Sequence, residues 1–74
     1  MADDAEDSLY LQAFGRRLQA LRVQRGLSQE DLAAASGLRP AEVRRVERGQ
    51  RDVSVIALAD LARVLEIQPA DLMP

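Results

Sequence analysis

The sequence predicts an all-α domain of five helices, and three observations support this fold class. Apolar residues recur at intervals of three and four, the spacing that forms one face of an α-helix. Aromatic residues make up only 3% of the chain and β-branched residues are too scattered to favour strands. Serine, glycine and proline stand where helices are expected to begin and end. Because 74 residues suffice for one small domain, we expect it to span residues 9–74, after a disordered acidic tail over residues 1–8.

The first helix is predicted from about Leu9 to Arg25, and Gly26 would end it in the left-handed conformation that glycine favours. The residues expected on its apolar side are Phe14, Leu18 and Leu21, and those on its polar side are Arg16, Arg17 and Gln24. This pattern predicts a helix that lies on the core with one face and meets water with the other.

The second helix is predicted over Gln29–Ser36. Ser28 precedes it as an N-cap, and Asp31 stands where its carboxylate completes a capping box. Gly37 would end the helix in a left-handed turn. The residues that we expect it to bury are Leu32, Ala33 and Ala35.

The third helix is predicted from Pro40 to Arg48, because proline suits the first helical position, where its missing N–H costs nothing. Gly49 would end it. If Val43 and Val46 point to the core, the outward face begins with Pro40, Ala41, Arg44 and Arg45. Two short helices joined by a glycine turn occur in small helical domains of any function, so the pair alone indicates no activity.

The fourth helix is predicted over Val55–Leu65, with Ser54 as its N-cap. It is apolar around more than half of its circumference, which predicts two burial partners. Pro69 opens a last short helix over Ala70–Met73.

The composition argues against catalysis. The chain contains neither cysteine nor histidine, which removes disulfides, ordinary zinc sites, thiol nucleophiles and the most common acid–base side chain. So small a domain cannot enclose a ligand-sized pocket. We therefore expect no enzymatic activity, no cofactor or metal, and no small-molecule ligand. No segment approaches the roughly 18 to 20 apolar residues that span a bilayer, and MADDAEDS lacks a basic leader, so we expect no membrane association and a cytoplasmic location.

Charge is unevenly distributed along the chain. Residues 1–8 carry −4, residues 16–51 carry +5, and residues 52–74 carry −3, which together account for the net charge of −2. The central segment therefore has the positive field that attracts phosphate, although the whole chain is acidic. Charges on solvated helix faces, without a nucleic-acid partner, are the plainer alternative.

The run FGRRLQALRVQRGLSQEDLAAASGLRPAEVRRVERGQRDVSVIALADLARVLEIQPADL covers residues 14–72. In the order and spacing of its motifs it resembles the Cro and phage-repressor family of helix–turn–helix proteins, the xenobiotic-response-element type. Its size and the segment RDVSVIALADLARVL resemble in particular the short controller proteins of restriction–modification systems. The resemblance implies a compact lambda-repressor-like domain that binds double-stranded DNA through helices two and three.

The resemblance also implies which residues act. Arg22 and Glu47 would form a structural ion pair, and helix three would enter the major groove. The implied base contacts are Arg39, Pro40, Ala41, Arg44 and Arg45. The implied phosphate contacts are Gln29, Arg48, Gln50, Arg51 and Arg17, of which Arg17 could equally belong to a solvated face. Pro40 and Ala41 cannot donate side-chain hydrogen bonds, so we expect Arg44 and Arg45 to read guanines. Glu42 would either accept from a cytosine amine or pair with Arg39 or Arg45.

A homodimer is expected because the core is small, the fourth helix is overly apolar, and relatives pair through the C-terminal end. The expected interface residues are Val55, Ile67, Leu72 and Met73, unless these residues close the core of one chain. A two-fold dimer predicts a pseudo-palindromic operator with half-sites about 34 Å apart. RNA polymerase is a further candidate partner. The alternative function is a protein-interaction module of the same fold, antitoxin-like, with little sequence-specific DNA binding.

Overall fold

The computed structural model describes the backbone of residues 2–74 and the side chains of residues 8–74. Its elements are α1 (Ala2–Gln24), α2 (Gln29–Ser36), α3 (Pro40–Glu47), α4 (Val55–Leu65) and a 3₁₀ turn over Pro69–Leu72. The all-α class is confirmed, but over this part of the chain there are four α-helices and one 3₁₀ turn rather than five α-helices. The last element has only four residues before the extended backbone of Met73, too short for a second turn of α-helix.

The start of α1 falls within residues 1–8, for which the sequence predicts a disordered acidic tail. The helical backbone begins at Ala2, and Met1 lies outside the described residues. Neither proline nor glycine interrupts residues 2–9, and acidic residues favour the N-terminal turns of a helix because of its dipole. The helix can therefore continue from its packed part without a break.

The bounds of α2 are set by its caps, as the sequence predicts. The Ser28 hydroxyl accepts from the Asp31 N–H at 2.9 Å, and the Asp31 carboxylate accepts from the Ser28 N–H at 3.2 Å. At the other end Gly37 adopts φ +73°, which a residue with a Cβ would reach only with strain. The chain then turns directly into α3.

The core collects apolar side chains from all five elements. Its fully buried members include Leu18, Leu32, Val43, Val46, Leu61, Leu65 and Leu72. The expected burial of Ala35 is wrong: Ala35 is exposed and Ser36 is buried in its place. In a helix that buries Leu32, the residue four positions on lies on the same face, whereas Ala35 lies toward its edge.

Helix α3 lies directly against α1 at Gly15. A Cβ built on Gly15 would lie 2.6 Å from the carbonyl oxygen of Glu47, and it would also overlap the carbonyl oxygen of Val46. Glycine is therefore required at this crossing for steric reasons. The contact fixes the C-terminal end of α3 against the first helix.

Candidate nucleic-acid interface

Helix α3 has one buried and one exposed face. Val43 and Val46 are fully buried, as the sequence predicts, while Pro40, Ala41 and Arg45 are exposed. Arg44 is half-buried on the outward side. The residues expected to contact bases therefore share one surface, which starts at Arg39, the N-cap of α3.

An open polar hollow lies at the first turn of α3. It is lined by Arg39, Ala41, Glu42, Arg45 and Arg51. Arg51 belongs to the segment between α3 and α4, which returns along α3 after Gly49. The sequence groups Arg51 with Arg48 and Gln50 at the end of α3, whereas the structure places its side chain beside the start of that helix.

Glu42 connects the two sides of this hollow. Its Oε1 accepts from the backbone N–H of Arg39 at 3.1 Å, and its Oε2 lies 3.4 Å from Nη2 of Arg51. The expected pairing with Arg39 or Arg45 side chains is therefore replaced by the Arg39 main chain and by Arg51. Arg51 reaches Glu42 because of the path that the α3–α4 segment takes, and no short sequence pattern indicates this path.

Glu47 accepts hydrogen bonds from two other helices. Arg22 reaches it with two nitrogens, Nε to Oε2 at 2.6 Å and Nη2 to Oε1 at 3.1 Å. Gln29 donates to the same Oε1 at 3.0 Å. Nη1 of Arg22 donates to the carbonyl oxygen of Leu27 at 2.8 Å. The pair implied by the family resemblance is thus present, and the participation of Gln29 is a feature that sequence reasoning missed.

The electrostatics of this cluster favour the ionised pair. Only 3% of the Glu47 side chain is exposed, so a lone carboxylate there would be costly. The hydrogen bond with Glu47 raises the pKa of Arg22, against the opposing effect of burial. The cluster therefore ties α1, the start of α2 and the end of α3 into one unit.

The residues expected to contact phosphate lie in three different parts of the structure. Gln29 is half-buried at the first position of α2, where helix N–H groups lack intrahelical partners and favour anions. Arg48 and Gln50 are exposed just after α3. Arg17 instead donates from Nε to the carbonyl oxygen of Asp71, so it connects α1 to the 3₁₀ turn.

The residues expected at the dimer interface differ in how far they are buried. The side chain of Leu72 is fully buried in the core of its own chain, which agrees with the alternative that this residue closes the core rather than an interface. Ile67 is half-buried against that core. Val55 and Met73 are exposed, and so is Ile56, with 77% of its surface accessible. The sequence contained the signal for Ile56, an apolar residue in the first turn of α4, but its position toward solvent depends on how α4 packs.

Comparison with known proteins identifies the family. The model of the helix-turn-helix family matches residues 18–72, which include α2, α3 and the surface described above. The chain belongs to the helix–turn–helix family. The matched residues include both the buried and the exposed face of α3, and this helix–turn–helix protein is a DNA-binding regulator.

Individual relatives of this helix–turn–helix protein include controller proteins. It superposes with a TM-score of 0.83 on the restriction-modification controller protein C.AhdI from Aeromonas hydrophila, at 51% identity, covering 85% of this chain and 96% of that chain. It is 33% identical over 61 residues to the control protein C.BamHI of Bacillus amyloliquefaciens, covering 81% of this chain and 75% of the relative.

Two further relatives are uncharacterized HTH-type transcriptional regulators. The HTH-type transcriptional regulator YazB of Bacillus subtilis is 38% identical over 61 residues, which cover 82% of this chain and 88% of the relative. The chain spans only 32% of the length of a longer regulator, y4dL of Sinorhizobium fredii, which is 35% identical over 63 residues.

Among the helices of the described residues, none combines the length and the apolar character that a membrane span requires.

Proposed function

We propose that the protein is a homodimeric, sequence-specific transcription regulator that places α3 of each protomer in the major groove of an approximately palindromic operator. The observation that carries the proposal is the outward face of α3, with Arg45 exposed and Arg44 half-buried, opposite buried Val43 and Val46. The likeness to C.AhdI over nearly all of that chain supports the narrower role of controller in a restriction–modification system.

Base readout is assigned to α3. The guanidinium groups of Arg44 and Arg45 suit the O6 and N7 acceptors of guanine, and Pro40 and Ala41 can pack against thymine methyl groups. The backbone phosphates are contacted on either side of α3, by the N-terminus of α2 at Gln29 and by Arg48 and Gln50. Because the Gln29 side chain donates to Glu47, the last residue of α3, a phosphate contact at the start of α2 would help to fix the position of α3 in the groove.

Dimerisation is assigned to the exposed apolar start of α4. Half-buried Ile67 and exposed Met73 follow the other end of this helix, whereas Val55 and Ile56 are 83% and 77% exposed at its start. An isologous contact there would pair two reading helices about 34 Å apart, one turn of B-DNA. The dimer then acts in the cytoplasm by blocking RNA polymerase or by contacting it from an adjacent site. With no ligand or cofactor invoked, its own concentration sets operator occupancy.

The test is selection of bound fragments from a random duplex pool at about 0.15 M salt, the range in which specific and non-specific binding differ. We expect an enriched inverted repeat with half-sites one turn apart. The matched control is Arg44→Ala/Arg45→Ala, which should lose the enrichment but stay folded. Failure of the folded, dimeric protein to enrich any sequence would refute the proposal and favour the protein-interaction module.

A further inference from the structure

We propose that Glu42 and Arg51 jointly read one G·C base pair at the edge of each half-site, with Arg51 donating to guanine and Glu42 accepting from the cytosine amine. The inference rests on the proposed function, since it requires α3 to lie in the major groove. It changes the role of Arg51 from the phosphate contact that the sequence predicts to a specificity-determining contact.

The position of Arg51 is the first argument. Its side chain lines the same hollow as Arg39, Ala41 and Arg45 at the first turn of α3, the turn that leads the groove-facing surface. Arg48 and Gln50, in contrast, follow the other end of α3. A guanidinium at the start of the reading helix is placed where base edges are expected, and not where the chain leaves the groove.

The chemistry of the pair is the second argument. Oε2 of Glu42 and Nη2 of Arg51 lie 3.4 Å apart, so an anionic acceptor and a cationic donor are presented side by side. In the major groove a G·C pair presents guanine O6 and N7 as acceptors and cytosine N4 as a donor. O6 and N4 are themselves hydrogen-bonded neighbours within the base pair. The side-chain pair therefore complements this edge. Adenine opposite Arg51 would present N6, a donor, and thymine there would offer one acceptor, O4, beside its methyl group, so only guanine provides two acceptors for the guanidinium.

The carboxylate is the third argument. A phosphate held by Arg51 would lie close to Glu42 and be repelled by it, whereas an uncharged base edge tolerates a carboxylate and can donate to it. Glu42 is fixed by its contact with the Arg39 N–H, and 28% of its side chain remains exposed. Each carboxylate oxygen of Glu42 has a second lone pair, and Arg51 has further N–H groups. Both side chains can therefore bind bases while their ion pair stays intact.

The experiment measures affinity for the selected operator and for operators with each base pair replaced in turn. The proteins are the wild type, Arg51→Ala, Glu42→Gln and the double variant. Glu42→Gln keeps an acceptor for the Arg39 N–H but removes the charge. We expect Arg51→Ala to lower discrimination at one G·C pair about tenfold, the effect of one good bidentate contact. Glu42→Gln should lower discrimination at that same pair, and the loss in the double variant should be smaller than the sum of the two single losses, because the two side chains position each other.

Two controls distinguish a loss of base recognition from a general effect of altered caps or altered charge. Asp71 caps the 3₁₀ turn through the Gln68 N–H at 3.1 Å, so Asp71→Asn alters a similar cap away from α3 and should change no base preference. Inosine in place of the guanine keeps O6 and N7 and should preserve wild-type affinity. A uniform loss of affinity with Arg51→Ala on every sequence would overturn the inference while leaving the proposed function intact. A wild type that selects no sequence would overturn both.

Discussion

Arg22 and Glu47 form a two-pronged ion pair between the first helix and the end of the reading helix, with Nε 2.6 Å from Oε2. Both side chains are largely shielded from water, and Gln29 shares the carboxylate. Removal of one partner would leave the other charge buried and without its counterion. This loss destabilises a protein more than replacing both partners with apolar residues does.

We therefore expect Glu47→Ala to lower the free energy of unfolding by about 3 kcal/mol, measured by urea denaturation. The matched control is Asp60→Ala, which breaks the exposed Arg63–Asp60 pair and should cost less than about 1 kcal/mol. Equal losses for the two variants would contradict the structural role of the buried pair.

The same pair predicts how stability responds to alkali. The pKa of Arg22 is raised in the folded protein by its hydrogen bond to Glu47, so the stabilisation is fully present below the unfolded-state pKa and is lost only as pH rises through the folded value. Since arginine is already strongly basic, the difference in unfolding free energy between wild type and Arg22→Gln should stay constant from about pH 7 to 10. A difference that shrinks over this range would show that Arg22 loses its proton there.

The crossing at Gly15 predicts a steric defect. Gly15→Ala would drive a methyl group into the backbone of α3, so we expect a loss of about 2 kcal/mol or more in unfolding free energy and weaker DNA binding, because α3 must move. Thermal melts and operator titrations check both effects. The control is Ala20→Gly, at an exposed position of α1, which should cost about 1 kcal/mol and leave the affinity of the folded protein unchanged.

Two classes of arginine should behave differently on DNA. Arg44→Ala or Arg45→Ala should relax preference at a defined base pair, whereas Arg48→Ala should weaken binding to all duplexes and reduce the slope of log affinity against log salt by about one unit. Titrations on operator and scrambled duplexes at several salt concentrations distinguish them. Identical behaviour of all three variants would show that α3 does not enter the groove as proposed.

The start of α4 should control association. Ile56→Ser removes an exposed apolar side chain, so we expect weaker dimerisation in sedimentation equilibrium and loss of cooperative binding to a two-half-site operator, with little change in thermal stability. Val23→Ser, at an exposed apolar position of α1, is the control and should leave the dimer intact. If only Val23→Ser dissociated the dimer, the interface would lie on α1.

Glu66 offers a test of backbone strain. It ends α4 with φ +59°, a conformation that costs L-residues roughly 1–2 kcal/mol relative to glycine. Its ion pair with Arg25 is exposed and contributes little. Glu66→Gly should therefore raise the unfolding free energy by about 1 kcal/mol, and Glu66→Ala, which loses the ion pair but keeps the strain, should not. Destabilisation by glycine would mean that the Arg25 contact outweighs the strain.

Local signals predicted most of the fold. The caps at Ser28 and Gly37 fixed both ends of α2, and the spacing of Val43 and Val46 identified the buried face of α3. Contacts between distant segments were not predictable in the same way. Leu72 belongs to a four-residue 3₁₀ turn, which is too short to show periodicity, so its burial depends on where this turn packs.

The candidate site was predictable to a similar extent. The outward residues of α3 follow from helical geometry, whereas the position of Arg51 depends on the path of the segment after Gly49. The contact of Glu42 with Arg51, in place of the Arg39 or Arg45 side chain, has the same origin, because tertiary structure brings Arg51 to it. Glu66 shows a further limit, since a left-handed helix end is ordinarily signalled by glycine or asparagine.

The division of α3 into an inward and an outward face also bears on how such a regulator can diverge. Val43, Val46 and Glu47 hold the helix in place, and Ala41, Arg44 and Arg45 contribute little to that packing. The outward residues can therefore be exchanged for those of another family member without loss of the fold. A duplicated gene could acquire a new operator through a few outward substitutions, and two such regulators could then operate in one cell without binding each other's sites.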